Sequence, residues 1–327
     1  MARSWKFWTQ GKLDLLRGYA PAFNRASQSV KERIYLDLMA GEPENVNRST
    51  GELFDGSPVI VLSANPGFTR HLLIELDSQR AADLDAYLRL RFPNKEFEVL
   101  PGDCNEVLEA GLAKLRPWRW APTFAFLDQQ AADVNWVTLE LLARFKRGSP
   151  YKTELWILFP AGMAHVRKLP KSGEVRPADV ERLNRNFGCS HWQAINDAFL
   201  EGQIDGAERR EQLVNLMRWR LEKVLGYRWT LPFDVQNERN VSLYHLILAT
   251  DNEAGLKIMT WLYEDAMRKF PAMAEEERHR QQRAKEDAAG IIRLFDDAPS
   301  PPALGKRVKL AYEPPTRPLG LPDDEEC

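Results

Sequence analysis

The chain has 327 residues, a length that fits about two domains or one large α/β domain with additions. Lysine and arginine (45) nearly balance aspartate and glutamate (47), for a formal net charge of -2, so there is no global nucleic-acid signature and any basic surface must be local. Cys104, Cys189 and Cys327 lie far apart with no CxxC pair, which argues against a zinc knuckle or a disulfide framework and for a reducing, cytoplasmic setting.

The opening "MARSWKFWTQGKLDLL" lacks a continuous apolar core, and no later stretch reaches the roughly 18 apolar residues of a membrane span, so a soluble protein without membrane contact is expected. Leu13, Leu16, Tyr19, Ala20 and Phe23 form a helical stripe over residues 10–23, leading to Pro21 and a connecting segment. Then come five apolar runs that read as buried strands: "RIYLDLMAG" (33–41), "LLIEL" (72–76), "FEVLPGD" (97–103), "TFAFLD" (123–128) and "ELWILFP" (154–160). Helical segments follow four of them, and such alternation implies a parallel sheet covered on both faces. Ser78 and Asn105 are placed to cap two of these helices, and residues 42–56 read as a loop before "GSPVIVL" resumes as a helix with Ser57 at its cap and Pro58 at its first position.

Residues 162–205 break the alternation and read as a helical insertion near the carboxyl edge of the sheet, where a lid would sit. A core-facing helix follows at about 207–225. "YRWTLPFDVQ" (227–236) and "VSLYHLILATD" (241–251), separated by "NERN", read as an antiparallel hairpin added to the sheet. From about residue 274 the charged run "EEERHRQQRAKED" reads as a solvated helix and the Pro-rich remainder as a disordered tail.

The expected fold class is therefore α/β, a doubly wound, mostly parallel, Rossmann-like sheet closed by a C-terminal antiparallel hairpin, the pattern of class I methyltransferases. Its expected divisions are an N-terminal helical segment (1–30), a cofactor-binding half (31–161), the insertion or lid (162–205), a closing helix, hairpin and helix (206–270), and a charged helix with tail (271–327).

In an open α/β sheet, ligands bind outside the carboxyl ends of the strands. Those ends are acidic here: Asp37, Glu75 with Asp77, Asp103 and Asp128. An adenosyl ligand explains the spacing. Gly41, following Ala40, would turn the chain tightly and let backbone approach the ligand. Glu75 would accept from both ribose hydroxyls, and Asp103 from the adenine amino group. The plainer alternative is that these acids cap the helices that follow them. A phosphate site fits worse: there is no GxxxxGK[ST], and "GEPENV" lacks the later glycines of GxGxxG. A cofactor without phosphate, S-adenosyl-L-methionine, tolerates that loss better than NAD or ATP.

Taken together, "GKLDLLRGYAPAF", "YLDLMAG" with "TGELFDGSPVIVL", "LLIELD", "VLPGD", "FAFLDQQ" with "NWVTLELLARF", "FG" at 187–188 with Trp192, and "LYHLILATDNEAGLKIM" cover residues 10–265. In that order the chain resembles the three-Cys-motif partner (TcmP) family, whose members have a class I methyltransferase-like domain. The resemblance implies a cofactor pocket at Asp37, Ala40 and Gly41, with Glu75 and Asp103 in the roles above. It also implies a helical element around 252–270 and a functional partner, a radical-SAM-like three-Cys-motif protein.

Two departures stand out. Where the family reads close to "DLFAGPG" this chain has "DLMAGEP", so Met39 replaces an aromatic residue and Pro43, with its fixed φ and missing amide donor, falls where a second glycine is usual. At the fourth strand end, "DQQA" lacks the proline of the family's "DPFG" or "DPQG". Asp128, Gln129 and Gln130 are the catalytic candidates, since the glutamines can hold a base or an amide; they also read as plain strand-end polar residues.

The basic, aromatic stretch "KLRPWRW" (114–120) suits phosphate contacts and stacking but falls at the amino edge, where Trp packing explains it better; "RFKRGSPYK" (144–152) has the same location. Arg167, Lys168, Lys171, Arg176, Arg182 and Arg185 in the insertion are better placed to steer a polyanion, with His165 and His191 nearby and His245 inside a strand. No His, Cys and carboxylate cluster has metal-ligand spacing. The expected activity is S-adenosylmethionine-dependent methyl transfer to a nucleic-acid or other polyanionic acceptor in a two-protein system. The alternative is a non-catalytic recognition subunit that has lost the cofactor.

Overall fold

The computed structural model describes residues 3–161, 169, 174–289 and 309–321. The chain opens with β1 (Arg3–Trp5), α1 (Phe7–Ala26), β2 (Ile34–Asp37), β3 (Glu44–Asn47), β4 (Leu53–Asp55) and α2 (Ser57–Ser63). Strand and helix then alternate through β5 (Arg70–Glu75), α3 (Ser78–Arg91), β6 (Phe97–Pro101), α4 (Cys104–Lys114), β7 (Thr123–Leu127), α5 (Trp136–Phe145) and β8 (Glu154–Phe159). The closing part is α6 (Pro177–Phe187), α7 (Trp192–Leu200), α8 (Gly206–Lys223), β9 (Trp229–Gln236), β10 (Ser242–Thr250) and α9 (Glu253–Ala288).

Seven strands form one sheet in the order β6-β5-β2-β7-β8-β10-β9. The first five in that order pair in parallel, and β10 runs antiparallel to both β8 and β9. The molecule is thus a mixed α/β protein whose mostly parallel sheet is flanked by helices, an arrangement compatible with a Rossmann-like fold.

Strand side chains alternate between two cores, which is why the strands read as continuous apolar runs. Leu36, Ile74, Leu127 and Ile157 meet α4, α5 and α8 on one face; Tyr35, Leu73, Phe126 and Trp156 meet α1, α2 and α9 on the other. Burying each such side chain contributes about 1.5–3 kcal/mol. The chain order reverses about β2, which pairs with both β5 and β7, so the loops after these strands open at a topological switch point.

Three expectations are corrected. Residues 42–56, read as a loop, contain the antiparallel pair β3 and β4, and β3 also pairs in parallel with β1 in a second, three-stranded sheet. Asn47 builds the turn: its side-chain oxygen accepts from the Ser49 and Thr50 amides, and Gly51 takes a φ of 73°. Secondly, the charged run is helical as expected, but it is one element with the helix expected around 252–270: α9 continues from Glu253 to Ala288 across the expected boundary at residue 270.

Thirdly, residues 309–321 of the expected disordered tail are docked. The Asn215 amide reads both backbone groups of Thr316, at 2.8 and 2.9 Å, while Tyr312 donates to Glu222 and Leu321 is buried. The expected caps also move by one or two residues. Asp77, Asp103 and Gly56 occupy the N-cap positions in place of Ser78, Asn105 and Ser57.

Candidate active site

A cleft of about 830 Å³ opens at the carboxyl edge of the sheet, a size suited to a small organic ligand. Ala40, Gly41, Glu75, Asp103, Asp128, Gln129 and Gln130 all line it. Asp37 does not: it ends β2 fully buried, beneath the cleft floor.

Asp37 accepts hydrogen bonds from the Tyr35 hydroxyl at 3.0 Å and the Met39 amide at 3.3 Å. Burial pushes its carboxyl up to about 6; hydrogen bonds from Ser57, Tyr35 and Met39 oppose the rise and the nearby Asp128 charge adds to it. Its place is to hold the start of the turn. The turn itself is Leu38 to Glu42, with the Ala40 amide on the Ile74 carbonyl and Gly41 at a φ of 65°, a conformation glycine adopts without strain.

The Gly41 amide donates to Glu75 at 3.0 Å, so the acid at the end of β5 staples the turn that follows β2. The other Glu75 oxygen accepts from the Asp77 amide and faces the Arg80 guanidinium at 3.4 Å. Pro43 does not line the cleft; its carbonyl accepts the Gly56 amide at 2.7 Å. A Cβ built on Gly56 would stand 2.1 Å from the Glu42 oxygen, so Gly56 is the residue that lets the β3–β4 excursion close against the turn.

Asp77 caps α3 through the Arg80 amide and lies outside the cleft wall, so the capping explanation accounts for it. Asp103 does both, accepting the Asn105 amide at 2.9 Å while lining the cleft. Asn105 ties this side to the next: its side chain donates to the Asp133 carbonyl and accepts from the Asn135 amide and the Thr138 hydroxyl.

Beyond β7 the three catalytic candidates part. Asp128 forms an ion pair with Lys12 of α1. Gln129 is buried and its oxygen accepts from the Asp133 and Val134 amides, both at 3.1 Å, so this side chain folds the loop to α5. Gln130 is exposed at the rim.

Among the lining residues that sequence reasoning missed, four stand out. Lys12 is almost wholly buried beside Leu13 in the α1 stripe, Leu76 stands 70% exposed directly after Glu75, and Trp8 and Tyr244 line the cleft from α1 and β10. A lysine inside an apolar stripe and an apolar residue after a strand-end acid were the available signals.

Arg182 and Arg185 of α6 line the cleft as the insertion reading wanted, but each already faces an acid, Asp133 at 3.4 Å and Glu181 at 2.7 Å. Arg176 pairs with Asp179. Arg167, Lys168, Lys171, His165 and Cys327 lie outside the described residues. At the amino edge Trp118 lies under the Arg70 guanidinium, 3.3 Å from its ring centre, which is the packing explanation for "KLRPWRW". His245 sits in β10, where burial lowers its pKa. Among the described residues no group of three or more His, Cys, Asp or Glu could hold a metal ion, and no helix is long and apolar enough to cross a membrane.

No family model matches the chain, and no curated protein matches it. Among solved structures it is similar to protein LPL1258 from Legionella pneumophila str. Philadelphia 1, family-model DUF519. That likeness has 14% identity and a TM-score of 0.39 over 76% of this chain and 88% of that one. It is also similar to a Streptococcus thermophilus protein described as "Putative hemolysin", at 12% identity and a TM-score of 0.32 over 81% and 75% of the two chains. Likenesses this distant carry no argument about function.

Proposed function

We propose that the chain is an S-adenosylmethionine-dependent methyltransferase-like protein acting on a nucleic-acid or other polyanionic acceptor. The observation that carries this reading is the meeting of Gly41, Glu75 and Asp103 in one carboxyl-edge cleft, on a sheet closed by an antiparallel hairpin. Glu75 and Asp103 would accept from ribose hydroxyls and from an exocyclic amine, and the exposed Leu76 beside Glu75 would cover the face of a flat base. The turn offers one glycine with positive φ where a pyrophosphate needs a cradle of several amides, which suits a cofactor without phosphate.

When bound, the sulfonium supplies an electrophilic methyl group. The protein's share is then alignment and exclusion of water, tasks that need no nucleophile. Arg182 and Arg185 line the cleft paired with Asp133 and Glu181, so a polyanion would have to exchange with those acids to be held there, with salt-sensitive affinity. The resemblance to three-Cys-motif partner proteins adds a radical-SAM-like protein as the second component.

Calorimetry of the folded chain with S-adenosylmethionine and S-adenosylhomocysteine tests the reading. Binding that is lost in Glu75→Ala supports it, and no binding to the folded wild type refutes it. Labelled methyl donor then identifies the acceptor. One observation favours a non-catalytic recognition subunit instead: the buried Gln129 oxygen is spent on the loop and is withdrawn from any acceptor. That alternative predicts partner capture that survives Glu75→Ala and no methyl transfer by the wild type.

A further inference from the structure

The Lys12 and Asp128 pair is not needed by the adenosyl reading, and it is an unusual thing to build into a cleft wall. The Lys12 side chain is only 5% exposed, and lysine is almost never that buried without a partner. A buried ion pair recovers its desolvation cost poorly, and an apolar pair of similar volume generally serves stability as well or better. The pair is also one-sided: the Asp128 side chain remains 25% exposed, and both residues line the cleft. One ammonium proton and one carboxylate oxygen satisfy each other, while Lys12 has two more donors and Asp128 a second oxygen.

We infer that Lys12 and Asp128 together form a recognition site for the zwitterionic end of an α-amino acid, the ligand's carboxylate meeting Lys12 and its ammonium meeting the second oxygen of Asp128. The inference rests on the adenosyl reading above and names what the far end of that ligand touches. Placement supports it. Glu75 ends β5 and Asp128 follows β7, with β2 and the Gly41 turn between them. Two strand spacings put the acids about 10 Å apart across the sheet, and the span from a ribose to the amino-acid group of an aminocarboxypropyl chain is of that order. Phe126, whose ring centre lies 5.8 Å from the Lys12 nitrogen, is buried behind the pair, and Leu158 and Leu243 add apolar lining to the cleft, so Lys12 and Asp128 offer a zwitterion its charged partners here. Asp128 then belongs to the donor, and Gln130 is what remains at the rim for an acceptor.

Calorimetry on the full chain with two ligands that share the adenosyl group provides the test. S-adenosylhomocysteine carries the amino-acid end, and 5′-methylthioadenosine lacks it. Charge-assisted hydrogen bonds at both groups predict a preference for S-adenosylhomocysteine of about 10- to 100-fold. Lys12→Met should remove most of that preference and leave 5′-methylthioadenosine affinity unchanged. Because Lys12→Met strands the Asp128 charge, the neutral pair Lys12→Met with Asp128→Asn serves as the second variant; it should melt as the wild type does and show the same loss of preference.

Equal affinity of the wild type for both ligands overturns the inference and leaves the adenosyl pocket standing. Equal loss of both ligands in the neutral double variant also overturns it, and makes the pair a clamp between α1 and the sheet. A folded chain that binds neither ligand overturns the adenosyl reading and this inference with it.

Discussion

On the β5 and β6 side of the cleft, Glu75 and Asp103 hold backbone amides and still offer acceptor oxygens to the open space; on the β7 side, Gln129 also lines the cleft, but its one oxygen is taken by two backbone amides and only its amide N–H donors remain. The difference lies in acceptor capacity. A carboxylate has about four lone-pair sites over two oxygens, whereas a side-chain amide has one oxygen with two. A strand-end acid can therefore fix its loop and bind a ligand at once, and a strand-end glutamine has to choose. The cleft thus has one side whose polar groups serve fold and ligand together, and another where those duties are divided among Asp128, Gln129 and Gln130.

The largest expected effect follows from the glutamine's choice. Gln129→Ala leaves the Asp133 and Val134 amides without their acceptor, and at about 1–3 kcal/mol for each stranded donor the fold should lose about 3 kcal/mol. Denaturant midpoints measure this. A loss below about 0.5 kcal/mol, the scale of an ordinary surface change, would show that Gln129 is not the loop's anchor.

Glu75→Ala should come next, lowering adenosyl-ligand affinity about a hundredfold, because it removes a charged acceptor and also unfastens the Gly41 turn. Glu75→Gln tests the dual duty: one amide oxygen can keep Gly41 or serve the ligand but not both, so calorimetry should find an intermediate loss of about tenfold. A Gln variant equal to wild type would break the comparison at its first term.

Asp37 supplies a pH-dependent contrast. Its carboxyl rises from an ordinary value of 3.8 to about 6 on folding, so the native state holds a proton more tightly than the unfolded chain. Stability from this group is fully present below pH about 4 and is lost as pH rises through about 6. At about 1.4 kcal/mol per unit of pKa, the ionised, buried acid costs on the order of 3 kcal/mol above that range. Asp37→Asn should therefore stabilise the chain at pH 8 by about 1–2 kcal/mol, part of the gain being offset by a poorer hydrogen-bond match, and should change little at pH 4. Melting curves across pH check the sign. The slope that Glu154 contributes, with its carboxyl raised to about 7 by burial, should remain in the variant. A variant less stable than wild type at pH 8 would mean that the three hydrogen bonds to Asp37 outweigh its desolvation.

Much of this architecture is legible in the chain. Parallel strands buried on both faces must be continuous apolar runs, and the acids at their ends fall where loops leave the sheet, which is where Glu75 and Asp103 line the cleft. What was illegible depends on partners remote in sequence. Lys12 meets Asp128 across 116 positions, and β3 meets β1 on the far side of α1. The segment 309–321 is Pro-rich and cannot form a core of its own, but Asn215, Glu222 and Glu264 supply acceptors and donors that no composition rule reveals. Glu75, Asp77 and Asp103 looked alike as strand-end acids, and only tertiary placement separates a cap that lines the cleft from one that does not.

The smallest expected effect is the sharpest on the division of duties. Gln130 is exposed at the edge of the cleft, so Gln130→Ala should shift stability by less than about 0.5 kcal/mol. Donor affinity should stay at the wild-type value, since Glu75, Asp103 and the Gly41 turn are untouched. Only transfer of labelled methyl to the acceptor should fall, by about tenfold for one lost hydrogen bond of moderate strength. Unchanged transfer would remove Gln130 from the acceptor side. Weakened donor binding would mean that the rim and the floor of the β7 side act as one unit, and the separation of its three residues into pair, anchor and rim would fail.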